Sequence, residues 1–100
     1  MKIEVNKIVK SWISKKFIKQ VLSASVQVIK KNKKIKELSI ALVGENTIKT
    51  LNHKYRRVNK VTDVLAFSDP AQIIICWPET VKQSQRQGHS QKKELAILLI

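Results

Sequence analysis

The sequence predicts an α+β domain, in which helices pack in layers on a small mixed sheet of about four strands. Short stretches in which apolar and polar residues alternate are interleaved with longer stretches of helical spacing. Only two glycines and two prolines occur, so the composition gives no sign of a linker. A chain of 100 residues with 43% hydrophobic residues has the size and apolar content of one small domain, residues 1–100.

The first half of the chain predicts a strand, a long helix and a second strand. Ile3 and Val5 alternate with polar residues, as in a short strand. Residues 11–31 follow with helical spacing, and Ser11 is the expected N-cap of this helix. Its expected buried face consists of Ile13, Phe17, Ile18, Val21, Leu22, Val28 and Ile29. Residues 37–43 carry apolar or small side chains on both faces, which is typical of a central strand covered on both sides.

A second helix and a β-hairpin are predicted next. The helix, residues 45–56, has polar residues at its start and one apolar stripe. This stripe consists of Ile48, Leu51 and Tyr55. After a polar loop come two short strands, residues 62–67 and 72–76. Four residues with turn chemistry separate these strands, which favours a hairpin.

Two further helices complete the predicted order β-α-β-α-β-β-α-α. Pro78 suits the first position of a helix, and Gly88 suits its end. Ser90 is the expected N-cap of the last helix, which ends in the apolar residues 95–100.

Charge is the strongest signal in the composition. Twenty lysines and arginines face seven acidic residues, which gives a net charge of +13 at neutral pH. This excess favours a polyanionic partner, above all RNA or DNA, because neutralising phosphates releases condensed counterions. The basic segment 30–36 is either a solvated turn or a phosphate contact. No apolar run approaches the roughly 20 residues of a membrane span, so no membrane partner is expected.

Candidates for a functional role include the single cysteine, the two histidines and the two tryptophans. Cys76 has no disulfide partner in the chain, so a cytoplasmic setting is expected, and its apolar strand makes it a small core residue. His53 is expected on the polar side of the second helix and His89 at a helix junction, so both are expected to be exposed rather than to bind a metal. Their separations from Cys76 match no short-range metal site. Trp12 could stack on bases, whereas Trp77 is expected to pack in the core.

Three dispersed motifs carry a resemblance to a known family. The first consists of Leu51, Asn52, Tyr55 and Arg56. The second consists of Thr62, Asp63, Val64, Leu65 and Phe67. The third consists of Ile73, Ile75, Cys76, Pro78 and Glu79. Together, residues 36–100 resemble the YbeY family, bacterial metal-dependent hydrolases regarded as endoribonucleases of ribosomal RNA maturation. Residues 1–35 agree with this family only in the order of their elements.

The resemblance implies a zincin-like fold and single-strand-specific RNA hydrolysis in the processing of small-subunit ribosomal RNA. Ribosomal RNA and the small ribosomal subunit are the implied partners, and zinc is the implied metal of the complete domain. The family's last helix continues into His-Gly-x-Leu-His-Leu-x-Gly-Tyr-Asp-His, which supplies the metal ligands. This sequence contains no such run. The metal ligands are therefore expected beyond Ile100, with no cofactor for this chain and no hydrolysis by it.

Arg56 is the candidate catalytic residue that the motif implies, as a contact to the substrate phosphate. The implied RNA-binding set is Arg56, Arg57 and Lys60. Arg57 has no counterpart in the family, whose loop has Gly-Lys-Asp after the arginine. Asp63 is expected to fix the loop by accepting backbone hydrogen bonds rather than to act as an acid or base.

Two other functions remain open at this point. The chain could be a non-catalytic module that binds RNA or the ribosome, or a non-functional gene remnant. A remnant would expose the apolar residues of its last helix and associate. These residues are Leu95, Ile97, Leu98, Leu99 and Ile100. The runner-up enzyme class is a zincin-like protease. The oligomeric state and the cause of the ending at Ile100 are also open.

Overall fold

The computed structural model describes residues 2–30, 37–68 and 71–99, with side chains for 2–22, 37–67 and 71–99. This part of the chain contains four strands and four helices in the predicted order. They are β1 (Lys2–Lys7), α1 (Lys15–Lys30), β2 (Glu37–Val43), α2 (Glu45–Arg56), β3 (Val64–Ser68), β4 (Ala71–Cys76), α3 (Trp77–Gln87) and α4 (Gln91–Leu99). No helix within these ranges is both long enough and apolar enough to cross a membrane.

The strands form one mixed sheet in the order β1-β2-β4-β3. β2 is parallel to β1 on one side and to β4 on the other, whereas β3 and β4 run antiparallel. The predicted mixed sheet and the predicted hairpin are therefore confirmed. Ser68 pairs with Ala71 across the end of the hairpin, and the turn residues 69–70 lie outside the described part. Because β1 and β2 are parallel, the chain must cross over between them, and α1 lies on this crossover.

The central strand β2 is buried on both faces, as its sequence predicts. Leu38, Ile40 and Leu42 belong to one apolar layer, and Ala41 and Val43 belong to another. The first layer contains residues of α1, α3 and α4, namely Ile18, Leu22, Trp77, Leu95 and Leu99. The second layer has α2 as its helical cover, through Ile48 and Leu51. The two sides of the sheet are thus covered unequally, and this inequality places the site described below.

The start of α1 differs from the prediction. The helix begins at Lys15, and the amide of Phe17 donates to the Ser14 hydroxyl at 3.0 Å, so Ser14 is the N-cap. Ser11 instead accepts the amide hydrogen bond of Ile13 at 3.1 Å within the preceding turn. The prediction of Ser11 was wrong because Ile13 is fully buried before the helix begins, which moves the first turn along the chain. The side chains of Val28 and Ile29 and the segment 31–36 lie outside the described residues.

The predicted ends of α3 and the predicted start of α4 are confirmed. Pro78 lies in the first turn of α3, where its missing amide hydrogen leaves no helical bond unmade. Gly88 ends α3 with φ +68°, a left-handed conformation that glycine adopts without strain. The Ser90 hydroxyl accepts the amide hydrogen bond of Lys93 at 3.1 Å and caps α4.

The apolar residues of α4 are covered more fully than a remnant would allow. Leu95 and Leu99 are buried against the first apolar layer, and Leu98 packs beside it. Ile97 is the exception, with 50% of its surface exposed. The exposure of the whole apolar run that a gene remnant would show is therefore not found in residues 95–99, because α4 packs against α1 and α3. Ile100 lies outside the described part.

This docking predicts unequal effects for two neighbouring substitutions on α4. Leu95→Ala removes a side chain with no exposed surface and should lower the free energy of unfolding by about 2–5 kcal/mol. Ile97→Ala, on the exposed side, should change it by no more than about 0.5 kcal/mol. Urea unfolding followed by circular dichroism measures both. Equal effects of the two substitutions would contradict the docking of α4 against α1 and α3.

Candidate functional site

A groove of about 370 Å³ lies on the face of the sheet that carries the second apolar layer. The floor is formed by Ala41 and Val43 of β2 and Ile74 of β4, and the walls by Leu51 and Tyr55 of α2 and Phe67 of β3. The floor is low at Ala41 because its side chain is a single methyl group. The groove exists because α2 covers this face only in part, whereas three helices, α1, α3 and α4, contribute to the opposite layer.

Two aromatic rings form the wall near the end of α2. The ring of Tyr55 meets that of Phe67 edge to face, with centroids 5.2 Å apart and an interplanar angle of 67°. The Lys54 ammonium lies 5.2 Å from the centroid of the Tyr55 ring. Tyr55 is nevertheless 56% exposed, so its prediction as part of a buried stripe was wrong. It lies on the same side of α2 as Ile48, but the groove beneath the last turn leaves it open.

Arg56 lies at the rim of this groove, since it is not a lining residue but directly follows Tyr55, which is. Its Nη2 donates to the carbonyl of Ala66 on β3 at 3.4 Å, and Ala66 directly precedes Phe67. The side chain is otherwise exposed. A guanidinium has several N–H donors in a planar fork, so one bond to a carbonyl leaves others for a ligand. The structure therefore fixes a cation beside an aromatic wall, in a geometry that suits an oxyanion such as phosphate.

Arg57 and Lys60 lie just beyond Arg56, so the three predicted basic residues gather at one end of α2. Arg57 ends the helix in a left-handed conformation, with φ 57° and ψ 30°, and its amide donates to the His53 carbonyl at 3.0 Å. The side chains of Arg57 and Lys60 are exposed. Neither has a contact to the sheet like that of Arg56 among the described hydrogen bonds. Arg56 is consequently the residue of the three with a defined position against the groove.

Asn52 holds the basic loop, and sequence reasoning gave it no role beyond its place in a motif. It is 5% exposed, and its Nδ2 donates to the carbonyl of Lys60 at 3.0 Å. The signal was present in the sequence, because Asn52 is one helical turn after Ile48 and so shares its buried side. At the far end of the loop, the Asp63 carbonyl accepts the Cys76 amide at 2.9 Å. Asp63 thus anchors the loop through its main chain.

The remaining titratable candidates lie apart from the groove or in the core. Cys76 is fully buried, as predicted, and burial raises the pKa of its thiol. His53 is exposed, as predicted. His89 is not: its Nε2 contacts the buried carboxylate of Glu94, and the expectation of an exposed histidine was wrong. The turn between α3 and α4 folds His89 back onto α4, which spacing along the chain does not reveal.

Within residues 2–30, 37–68 and 71–99, no group of three or more histidine, cysteine, aspartate or glutamate residues could hold a metal ion. The residues of this part of the chain therefore do not fit the metal that the family resemblance implies. What they offer is a cation at the rim of an apolar and aromatic groove.

Comparisons with known proteins agree with one another. A family model described as Endoribonuclease YbeY matches residues 2–100. The match includes residues 2–35, which the motifs do not cover. An Endoribonuclease YbeY from Dehalococcoides mccartyi strain BAV1 is 32% identical over 125 residues, covering 98% of this chain and 78% of the relative. This aligned stretch of 125 positions is longer than the 100-residue chain, so the relative carries residues that this chain lacks.

Two further comparisons cover less of the other protein. An Endoribonuclease YbeY from Moorella thermoacetica is 38% identical over 82 residues, covering 64% of this chain and 53% of the relative. The solution structure of TM1509 from Thermotoga maritima superposes with a TM-score of 0.63 at 24% identity. It covers 93% of this chain, which spans 63% of that protein's length. This likeness supports the fold alone.

The buried amide of Asn52 predicts that the basic loop depends on one side chain. Asn52→Ala should lower the free energy of unfolding by about 1–1.5 kcal/mol, because the partly buried hydrogen bond from Asn52 to the Lys60 carbonyl is lost. His53→Ala, at the exposed neighbouring position, is the matched control and should change it by no more than about 0.5 kcal/mol. Thermal or urea unfolding measures both variants. An Asn52→Ala protein as stable as the control would contradict the role of Asn52.

Proposed function

Because the chain belongs to the YbeY endoribonuclease family, we propose that it serves single-strand-specific, metal-dependent hydrolysis of RNA. The proposed setting is the cytoplasmic maturation of small-subunit ribosomal RNA, with the small ribosomal subunit as partner. We further propose that residues 1–100 act as a single domain. The observation that carries the proposal is Arg56, tied to β3 at the rim of an aromatic groove.

The groove matches the chemistry of an unpaired RNA strand. A guanidinium pairs with phosphate oxygens through parallel hydrogen bonds, and Arg56 has donors left after its bond to Ala66. The exposed ring of Tyr55 offers a face on which a base can stack. Bases in a duplex are already stacked and paired, so an aromatic wall favours a single strand.

Charge supports the same proposal at longer range. The net charge of +13 attracts a polyanion to the protein from any direction. Arg57 and Lys60 add exposed cations at the end of α2, next to Arg56. In our proposal these two side chains hold the backbone of the strand, and Arg56 contacts the phosphate that a complete member of the family would cleave.

Zinc is the metal that we propose for the family's chemistry, where it supplies an activated water. The described residues offer no ligand group for it, and the histidine-rich run implied by the resemblance is not in this sequence. The proposed roles of this chain's own residues are therefore binding and orientation. We propose that the 100-residue chain binds single-stranded RNA and leaves it intact.

A second candidate function is a non-catalytic module that binds RNA or the ribosome. It is favoured by the combination of a strongly basic chain with no metal-ligand group in the described part. The two functions are distinguished by a protein in which the histidine run is joined to this chain. Added zinc would restore RNA cleavage to that protein if the chain is part of an enzyme. It would leave RNA uncleaved if the chain is a binding module.

The role of Arg56 predicts a specific loss of RNA affinity. Arg56→Ala should weaken binding of a single-stranded oligouridylate of about a dozen nucleotides by roughly tenfold, because a charge-assisted phosphate contact is lost. The slope of log K against log salt should become shallower by about 0.7. Fluorescence anisotropy over a salt series measures both quantities, and a denaturing gel checks that the RNA stays intact.

Arg86→Ala is the matched control, since it removes the same charge from the exposed surface of α3. An equal loss in both variants would show that only overall charge matters and would contradict the site at Arg56. Unchanged affinity in Arg56→Ala would contradict it as well. Cleavage of the RNA by the purified chain, abolished by a zinc chelator, would overturn the proposal of binding without hydrolysis.

A further inference from the structure

A second depression adjoins the groove along the segment that joins β1 to α1. Its volume is about 630 Å³, and its lining includes Lys7, Ile8, Lys10 and Trp12. Ile8 also lines the groove beside α2, so the depression and the groove meet at this residue. Ile8 is 68% exposed and directly follows β1. Trp12 contacts α4, which packs with the apolar layer opposite α2, so an extended ligand that contacts both Tyr55 and Trp12 passes around the end of β1 at Ile8.

Trp12 is fixed in place although it is 62% exposed. Its Nε1 donates to the side-chain oxygen of Gln91 on α4 at 2.6 Å, which holds one edge of the indole. The Lys92 ammonium lies 5.4 Å from the centroid of the Trp12 ring and 5.1 Å from that of Phe17. Packing does not account for this arrangement, because most of the ring is outside the core. An exposed ring that is already oriented loses little conformational freedom when a ligand stacks on it.

The charges around Trp12 select an anionic ligand. The described residues that line the depression include two lysines, Lys7 and Lys10, and no acidic residue. Lys10 is exposed, and Lys92 places a further cation against the ring. Stacking rings interleaved with cations form the pattern by which proteins hold single-stranded nucleic acid. An acidic protein segment would use only the cations, and a purely apolar segment would use only the ring.

We propose that the surface around Trp12 is a second contact for the RNA strand whose cleavable phosphate lies at Arg56. A base stacks on the indole of Trp12, Lys10 and Lys92 contact the adjoining phosphates, and the strand crosses Ile8 to reach the groove. This inference rests on the proposed function. It adds that the substrate presents an unpaired segment long enough to cover both surfaces, so a short loop of unpaired bases is a poor substrate.

Two substitutions of Trp12 separate stacking from simple apolar contact. Trp12→Leu keeps an apolar side chain but removes the ring. It should weaken binding of the same oligouridylate about fivefold, which corresponds to the lower end of the free energy for stacking one base on an aromatic ring. Trp12→Phe keeps a ring and should stay within about twofold of the wild type. Ile97→Ala is the control, since it alters another exposed apolar side chain and should leave affinity unchanged.

Tryptophan fluorescence gives a second readout that does not depend on the variants being equally stable. Trp77 is 7% exposed and Trp12 is 62% exposed, so RNA should quench the emission of Trp12 in the wild type. In Trp12→Phe, which retains only Trp77, most of the quenching should be lost, since Trp77 lines the same depression but is nearly buried. Absence of quenching in an RNA-bound wild-type protein would overturn the inference.

The outcomes also separate this inference from the proposed function. If Arg56→Ala weakens binding and Trp12→Leu does not, the second contact is wrong and the groove stands. If the wild type binds no RNA, both fail. If Trp12→Leu leaves RNA affinity unchanged but reduces self-association in analytical ultracentrifugation, the surface joins two copies of the chain, and the inference is overturned.

Discussion

The central strand β2 has apolar side chains on both faces, and it must be covered on both faces to fold. Burying apolar surface stabilises the folded state by about 25 cal/mol per Å², so leaving one face exposed to water would cost free energy. Residues of α1, α3 and α4 join the layer on one face, while α2 is the helical cover on the other. The second face is therefore less filled, and its small residue Ala41 deepens the space that remains. The groove follows from this unequal cover of one strand.

The position of the basic residues follows from the same arrangement. α2 begins directly after β2 and runs over its less covered face, so the end of α2 comes to the rim of the groove. The buried amide of Asn52 ties the following loop to the helix, and Arg56 ties the helix end to β3. Arg56 is thereby held beside an aromatic wall, with the exposed Arg57 next to it in the chain. The net charge alone is enough to attract RNA to the protein as a whole. Holding a phosphate at one position would depend on the two hydrogen bonds that place Arg56 and the loop.

The sequence predicted the order of all eight elements, because alternating and helical spacing reflect which side of each element is buried. It placed the ends of α3 and α4 correctly through Pro78, Gly88 and Ser90, whose chemistry acts locally. It failed where the outcome depended on packing between distant elements. Serines at positions 11 and 14 are equally good caps in isolation, and only the burial of Ile13 decides between them. The exposure of Tyr55 and the contact of His89 with Glu94 likewise depend on neighbours that local spacing does not define.

The central claim is that RNA binds in the groove on the α2 side of the sheet, and amide chemical shifts of isotope-labelled protein test it most directly. On addition of a single-stranded oligouridylate, the largest changes should occur at Phe67 and Ile8, which line the groove, and at Arg56 on its rim. The amides of Gln83 and Gln85 on α3 should change little, since α3 packs with the opposite apolar layer. Largest changes on α3, with the groove unaffected, would contradict the account.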